Sequence, residues 1–258
     1  MQKTDQRLDF YRDAMRVLRE AEVPFLLGGA YALAIYTGIE RHTKDFDLFL
    51  RESDLDAAMR AFAEKEFRVA RTHPHWLAKA YCGDECIDLI YRSGNGLCDV
   101  DDSWFERARP DEALGVPVKL VAPEEIIWMK AFIMERERYD GADIAHLLFS
   151  CAEKLDWQHL VRRFGGQWRV LLSHLVLFGF VYPAEKQRVP ESIISELLQW
   201  TLEDQHVAER EATCRGTLLS RAQYLADVNE RGLRDARLDS AMSEADVARW
   251  TEAIGREE

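Results

Sequence analysis

Asp45 and Asp47 flank a phenylalanine in the run Asp45-Phe46-Asp47-Leu48-Phe49-Leu50, where polar and apolar residues alternate as in a strand with one buried face. Residues two apart in a strand point to the same side, so both carboxylates project together while Phe46 and Leu48 enter the core. Like charges held this close repel, and one pKa rises unless a cation sits between them. Magnesium suits such a pair, because it takes one or two carboxylates and completes its shell with phosphate oxygens and water. Asp88 stands inside a second apolar run, Ile87-Asp88-Leu89-Ile90. A carboxylate in a buried strand is costly unless paired or coordinated. If that strand lies beside the Asp45 strand, three acids converge. Upstream, Gly28-Gly29 joins a short apolar run to a helical one. Glycine there lets the backbone approach a ligand, and the helix N-terminus offers N–H groups to phosphate.

These residues need elements to position them. Leu8, Tyr11, Met15 and Leu18 predict a helix over about 5–21, Pro24 to Leu27 a short buried strand, and 30–37 a helix that Gly38 terminates. Ser53, with Asp56 three residues on, reads as a capping box opening the next helix. Strands follow at 67–71, 76–81 and 86–91, the last two forming a hairpin over Gly83-Asp84, and a further strand at 116–121. From Pro123, a favoured first helical residue, the pattern turns helical, with segments at about 141–154, 157–164, 168–181 and 190–207. The expected fold class is α/β (α+β): a small mixed sheet with flanking helices over residues 1–122, then an α-helical domain over 123–258.

The ordered set of strand, Gly-Gly, helix, Asp-x-Asp strand and a lone later Asp resembles the nucleotidyltransferase superfamily that shares its fold with DNA polymerase β. The stretch from Leu27-Gly28-Gly29 to Arg41-His42-Thr43-Lys44-Asp45-Phe46-Asp47, with fifteen residues between Gly29 and Asp45, is similar to the aminoglycoside and lincosamide nucleotidyltransferases and their uncharacterised bacterial relatives. So is the segment from Pro123-Glu124-Glu125 through Lys130 to Arg138-Tyr139-Asp140 and Asp143. The resemblance covers roughly residues 20–150; the C-terminal hundred or so residues show none. It implies that Asp45 and Asp47 bind Mg2+ and that Asp88 is the third carboxylate, as second-metal ligand or as proton acceptor. It implies too that Gly28 and Gly29 hold the triphosphate, with Arg41, Lys44 and Lys130 as further contacts to the nucleotide. The implied reaction moves a nucleoside monophosphate, AMP from ATP, to a hydroxyl of a small molecule. An acceptor on a protein or tRNA, as in toxin–antitoxin systems, and a non-catalytic nucleotide-binding protein are the alternatives.

Composition narrows the class. The 258 residues carry a formal net charge of −12, which disfavours an extended nucleic-acid surface, since such binding draws on Lys and Arg against phosphates. Five cysteines without framework spacing predict reduced thiols and a cytoplasmic setting. A zinc site from His73, His75, Cys82 and Cys86 matches no standard spacing. The longest apolar run, 171–182, is too short to span a bilayer and reads as a buried core helix, so no membrane association is expected.

Other residues admit two readings. Lys79 either faces the acid cleft or stands exposed on an edge strand. Asp140 and Asp143 are explained by helix capping and dipole pairing. His42 beside the carboxylates reads as an exposed turn histidine. Trp76, Tyr91 and Trp104 either stack on a ring of the substrate or belong to the core. The acids Asp99, Asp101 and Asp102 either attract a cationic acceptor or cap a solvated helix.

Overall fold

Phe10, Tyr11, Ala14, Met15, Val17 and Leu18 recur at helical spacing and are all buried on helix α1 (Gln2–Glu20). The computed structural model describes residues 2–40, 45–205 and 212–253. Those residues fall into two compact units, Met1–Ala122 and Pro123–Glu258.

In the first unit, strand β1 (Leu26–Leu27) leads into α2 (Gly29–Thr37), which ends at Gly38 in a left-handed conformation. Strand β2 (Asp47–Phe49) and helix α3 (Leu55–Glu64) follow, then β3 (Arg68–His73), β4 (Leu77–Cys82) and β5 (Glu85–Ile90). Helix α4 (Asp102–Arg107), β6 (Arg109–Ala113) and β7 (Val116–Leu120) complete the unit. The seven strands form one mixed sheet in the order β3-β4-β5-β2-β1-β7-β6. β2 runs parallel to β5, β1 runs parallel to β7, and every other neighbouring pair is antiparallel.

Alternation divides the sheet into two faces. Phe46, Leu48, Ile87, Leu89, Ala78 and Ala80 are fully buried on one of them. Phe46 anchors that face: Tyr11 of α1 stacks on it at 4.3 Å and Tyr31 of α2 meets it edge-on at 5.0 Å. Asp47, Lys79 and Asp88 lie on the opposite, more open face, which follows from their place between those buried residues.

Three expectations are corrected here. The capping box at Ser53 does not form: a 3-10 turn, Glu52–Asp54, precedes α3, whose N-cap Asp54 makes no side-chain cap bond. Strand β6 was not foreseen, because Arg109, Pro110, Asp111 and Glu112 have none of the apolar character of a strand. It is tolerated at the sheet edge, where polar residues and proline belong.

The second unit is mainly helical: α5 (Pro123–Lys130), α6 (Gly141–Cys151), α7 (Trp157–Phe164), α8 (Trp168–Val181) and α9 (Glu191–Asp204), followed by shorter pieces. The third correction concerns the apolar run at 171–182. On α8, Leu171, His174, Leu175 and Phe178 are buried, but Val176, Leu177, Phe180 and Val181 are exposed, so this is a core helix along one face only. Residues 157–181 would suffice by length and composition to cross a membrane, with a 3-10 turn at Gly165–Gln167 separating α7 from α8.

Phe46 supports the functional strand from the buried side, so Phe46→Ala should destabilise the first unit by about 3–5 kcal/mol in urea unfolding. A loss under about 1 kcal/mol would show that the stack contributes little.

Candidate active site

β2 and β5 are paired in parallel with Asp47 opposite Asp88, Leu48 opposite Leu89 and Phe49 opposite Ile90. Residues opposite each other on neighbouring strands share a face, about 4.8 Å apart. The two carboxylates therefore stand side by side. The pairing extends back one step, since the Asp88 N–H donates to the Phe46 carbonyl at 2.9 Å. Asp45, beyond buried Phe46, is exposed, and its charge is felt at both Asp88 and Cys86.

Lys79 sits opposite Asp88 on the other side, across the antiparallel β4–β5 pair, and its Nζ lies 2.9 Å from Asp88 Oδ1. β4 is interior to the sheet, with β3 at the edge, so the exposed-edge reading of Lys79 is corrected: it faces the acids. The Lys79 and Asp88 side chains keep only 25% and 15% of their exposure. Burial pushes the Asp88 carboxyl above its ordinary value, the Lys79 ammonium offsets part of that rise, and Asp45 adds to it. Burial lowers Lys79, yet the Asp88 charge and hydrogen bond outweigh it and leave the ammonium above its ordinary value.

On the β1 side, the Gly28 N–H donates to the Asp47 carbonyl at 3.1 Å. The two glycines are required for space. A Cβ on Gly28 would lie 2.2 Å from the Phe49 ring, and one on Gly29 would lie 1.7 Å from Asp47 Oδ2. Gly29 also has φ +55, a conformation that side chains disfavour. The Asp47 carboxylate thus rests directly against the first residue of α2, where the positive end of the helix dipole favours a negative charge. The glycine pair, read from sequence as a phosphate turn, is at least a seat for Asp47.

Arg41, His42 and Lys44 lie outside the described residues. Lys130 belongs to the second unit, at the end of α5, where its Nζ is 2.6 Å from Asp140 and 2.8 Å from Asp143. This corrects the capping explanation of those acids: Asp140 makes no side-chain cap bond to α6, and both grip Lys130. Burial raises Asp140, but Arg138 and Lys130 hold it below its ordinary range.

The aromatic candidates turn inward. Trp104 is fully buried and stacks on Phe49 at 5.5 Å. Tyr91 is buried, with its hydroxyl donating to the Pro74 carbonyl at 2.8 Å. Trp76 is half-buried and stacks on His73. Asp101 caps α4 by accepting from the Ser103 N–H at 3.0 Å, Asp99 pairs with Arg92, and Asp102 meets Arg51 at 2.6 Å. Cys82 and Cys86 face opposite ways, since Cys86 pairs with Tyr81, the neighbour of Cys82, and the His75 ring contacts the Gly94 carbonyl at 3.0 Å. Sequence reading missed two features. Cys86 shares the face of Asp88, where burial raises its thiol pKa. Fully buried Glu125 contacts His159 at 2.6 Å and Arg163 at 2.9 Å, a cluster that alternating charge on two separate helices did not reveal.

Asp45, Asp47 and Asp88 supply hard oxygen donors on one face, the chemistry that magnesium needs. Among the described residues no three His, Cys, Asp or Glu side chains are gathered into a metal cage. Magnesium does not require one, as one or two carboxylates with phosphate oxygens and water suffice. The acid pair therefore fits the ion, with Lys79 held against Asp88.

The family of nucleotidyl transferases of unknown function (DUF2204) matches residues 7–167, well over half of the chain, and the chain belongs to it. It is thus a nucleotidyltransferase. No curated protein matches it in sequence. Among solved structures it is similar to the antibiotic-resistance factor ANT(2'')-Ia in solution, with 19% identity and a TM-score of 0.44 over 67% of this chain and 98% of that one. It is similar also to the lincomycin-bound lincosamide antibiotic adenylyltransferase LnuA, with 11% identity and a TM-score of 0.39 over 54% and 94%. A third likeness is to JHP933 from Helicobacter pylori, with 13% identity and a TM-score of 0.36 over 77% and 96%. None of these likenesses bears on the nucleotide or the acceptor.

The seat for Asp47 yields a test. Gly29→Ala should lower both the melting temperature and transfer activity, since the methyl group collides with Asp47 and φ is positive. Adding Asp47→Ala should recover part of the melting temperature and none of the activity. No recovery in the double variant, read by differential scanning fluorimetry, would mean that the carboxylate is not what fills the space.

Proposed function

We propose that this nucleotidyltransferase moves AMP from ATP to a hydroxyl of a small molecule, using Mg2+ held by Asp45 and Asp47, with Asp88 as the third acid. The observation that carries the reading is the parallel register that sets Asp47, two residues from Asp45 and seated on Gly29, opposite Asp88. The first unit, residues 1–122, is the proposed catalytic domain, and 123–258 the helical C-terminal domain. When bound, magnesium would neutralise triphosphate charge and ease ionisation of the attacking hydroxyl.

The chain's own residues do the rest. Asp45 and Asp47 would hold the ion, and α2 directs its N-terminal N–H groups toward negative charge. The acceptor oxygen bonds to the α-phosphorus, the bond to pyrophosphate breaks, and Asp88 takes the hydroxyl proton or helps to hold the metal. Arg41, Lys44 and Lys130 are the proposed phosphate contacts, and Lys130 must exchange Asp140 and Asp143 to serve as one. Nucleotidyl transfer asks for alignment and charge neutralisation more than for covalent help from the protein. The small-molecule acceptor is favoured over an RNA because the chain carries a net charge of −12, unsuited to a long phosphate backbone.

Incubation with labelled ATP, Mg2+ and a cell extract should give a small labelled product and pyrophosphate. Labelled protein or RNA would overturn the choice of acceptor. Asp45→Asn and Asp47→Asn should each cut pyrophosphate release by at least about a hundredfold while leaving the circular dichroism spectrum unchanged; near-normal turnover in either would sink the site. Asp88→Asn should still bind Mg-ATP but lose transfer, because an acid acting in the transition state changes kcat more than ground-state binding.

A further inference from the structure

Among the described residues, Lys79 is a cation that neighbours the acid row from inside the sheet. It is the cross-strand partner of Asp88 on interior strand β4, within 2.9 Å of Oδ1, and both side chains are largely buried. Its face also carries Cys86 and Tyr81, and Asp45 is near enough for its charge to be felt at Asp88. With this ammonium in contact, one oxygen of Asp88 is already engaged, in keeping with the absence, among the described residues, of a three-ligand cage.

We propose that Lys79 is a positioning residue, a resident counter-ion of Asp88 that gives way when a divalent metal and the nucleotide arrive together. The proposal rests on the metal-site reading above. A divalent ion approaching Asp88 meets a positive charge a few ångströms away, and in a partly buried site such repulsion is poorly screened. Free metal therefore binds weakly at Asp88. A bound triphosphate changes the balance, because its oxygens both complete the metal shell and give the displaced ammonium a new partner. Lys79 thus couples metal loading to nucleotide binding, and no covalent step is assigned to it.

The test is Mn2+ binding to the full chain, followed by electron paramagnetic resonance at pH 8. Without nucleotide, Lys79→Met should bind Mn2+ at least about tenfold more tightly than the unaltered chain. Lys79→Arg, which keeps the charge, should not gain. The difference should shrink when a non-reactive ATP analogue is present, and Asp88→Asn in the Lys79→Met background should abolish the gain. Melting temperature gives a second readout: Lys79→Met should melt lower without metal, through its unpaired Asp88, and recover on adding Mn2+. If Lys79→Met does not fold, Lys79→Gln replaces it.

A lower melting temperature with unchanged Mn2+ affinity would overturn the proposal and leave Lys79 as a strand-pairing residue only. In that outcome Mn2+ would still bind through Asp45 and Asp47, and the metal-site reading would stand. Failure of every form to bind Mn2+, with or without the analogue, would overturn both.

Discussion

Two carboxylates side by side on neighbouring parallel strands repel each other, and much of the first unit can be understood as the means of holding Asp47 and Asp88 there. Their strands are about 4.8 Å apart and cannot slip by one residue without turning Phe46, Leu48, Ile87 and Leu89 out of the core. Hydrophobic burial behind the sheet therefore fixes the spacing of charge in front of it. Each acid has its own compensation: Asp47 lies at the start of α2, and Asp88 contacts Lys79. The compensations differ in kind. One is a backbone dipole that cannot leave, and the other is a flexible side chain that can.

The acid strand was legible because its pattern is short and unambiguous. Alternation of Asp45, Phe46, Asp47 and Leu48 admits one orientation, and the isolated Asp88 between isoleucine and leucine demanded a partner. Strand pairing was less legible. Nothing local says that β5 lies beside β2 rather than only beside its hairpin partner β4, since parallel pairing is decided by contacts distant in sequence. Lys79 shows the same limit: its alternation was visible, but whether β4 stood at an edge or inside depended on where β3 went. Gly29 was legible as a place where the backbone must come close to something, but not that Asp47, 18 residues further on (47 − 29), is one of the groups packed against it.

In the helical unit, periodicity located the helices but misjudged their surroundings. The run on α8 was apolar enough to suggest complete burial, yet composition cannot tell which faces find neighbours, and Phe180 remains 80% exposed. Asp140 and Asp143 satisfied local rules for a helix start and do stand at the N-cap and in the first turn of α6, but Asp140 makes no side-chain cap bond. Their tertiary partner Lys130 lies on the preceding helix, a contact that local rules do not contain.

The strand order also has a consequence for how the chain is made. β1 and β2 emerge early but sit in the middle of the finished sheet, between strands synthesised later. Asp88 leaves the ribosome 41 residues after Asp47 (88 − 47), which at ordinary translation speeds is roughly 2–8 s. Leu120, the partner of Leu27 on the other flank, follows later still. During that interval the nascent Asp47 strand has its antiparallel neighbour β1 but lacks its parallel neighbour β5. Its apolar side, led by Phe46, can meanwhile be covered by α1 and α2, already translated, whose Tyr11 and Tyr31 meet the Phe46 ring in the finished fold. The early helices, beyond their place in the folded core, are then native cover for this strand while the rest of the sheet is still being translated.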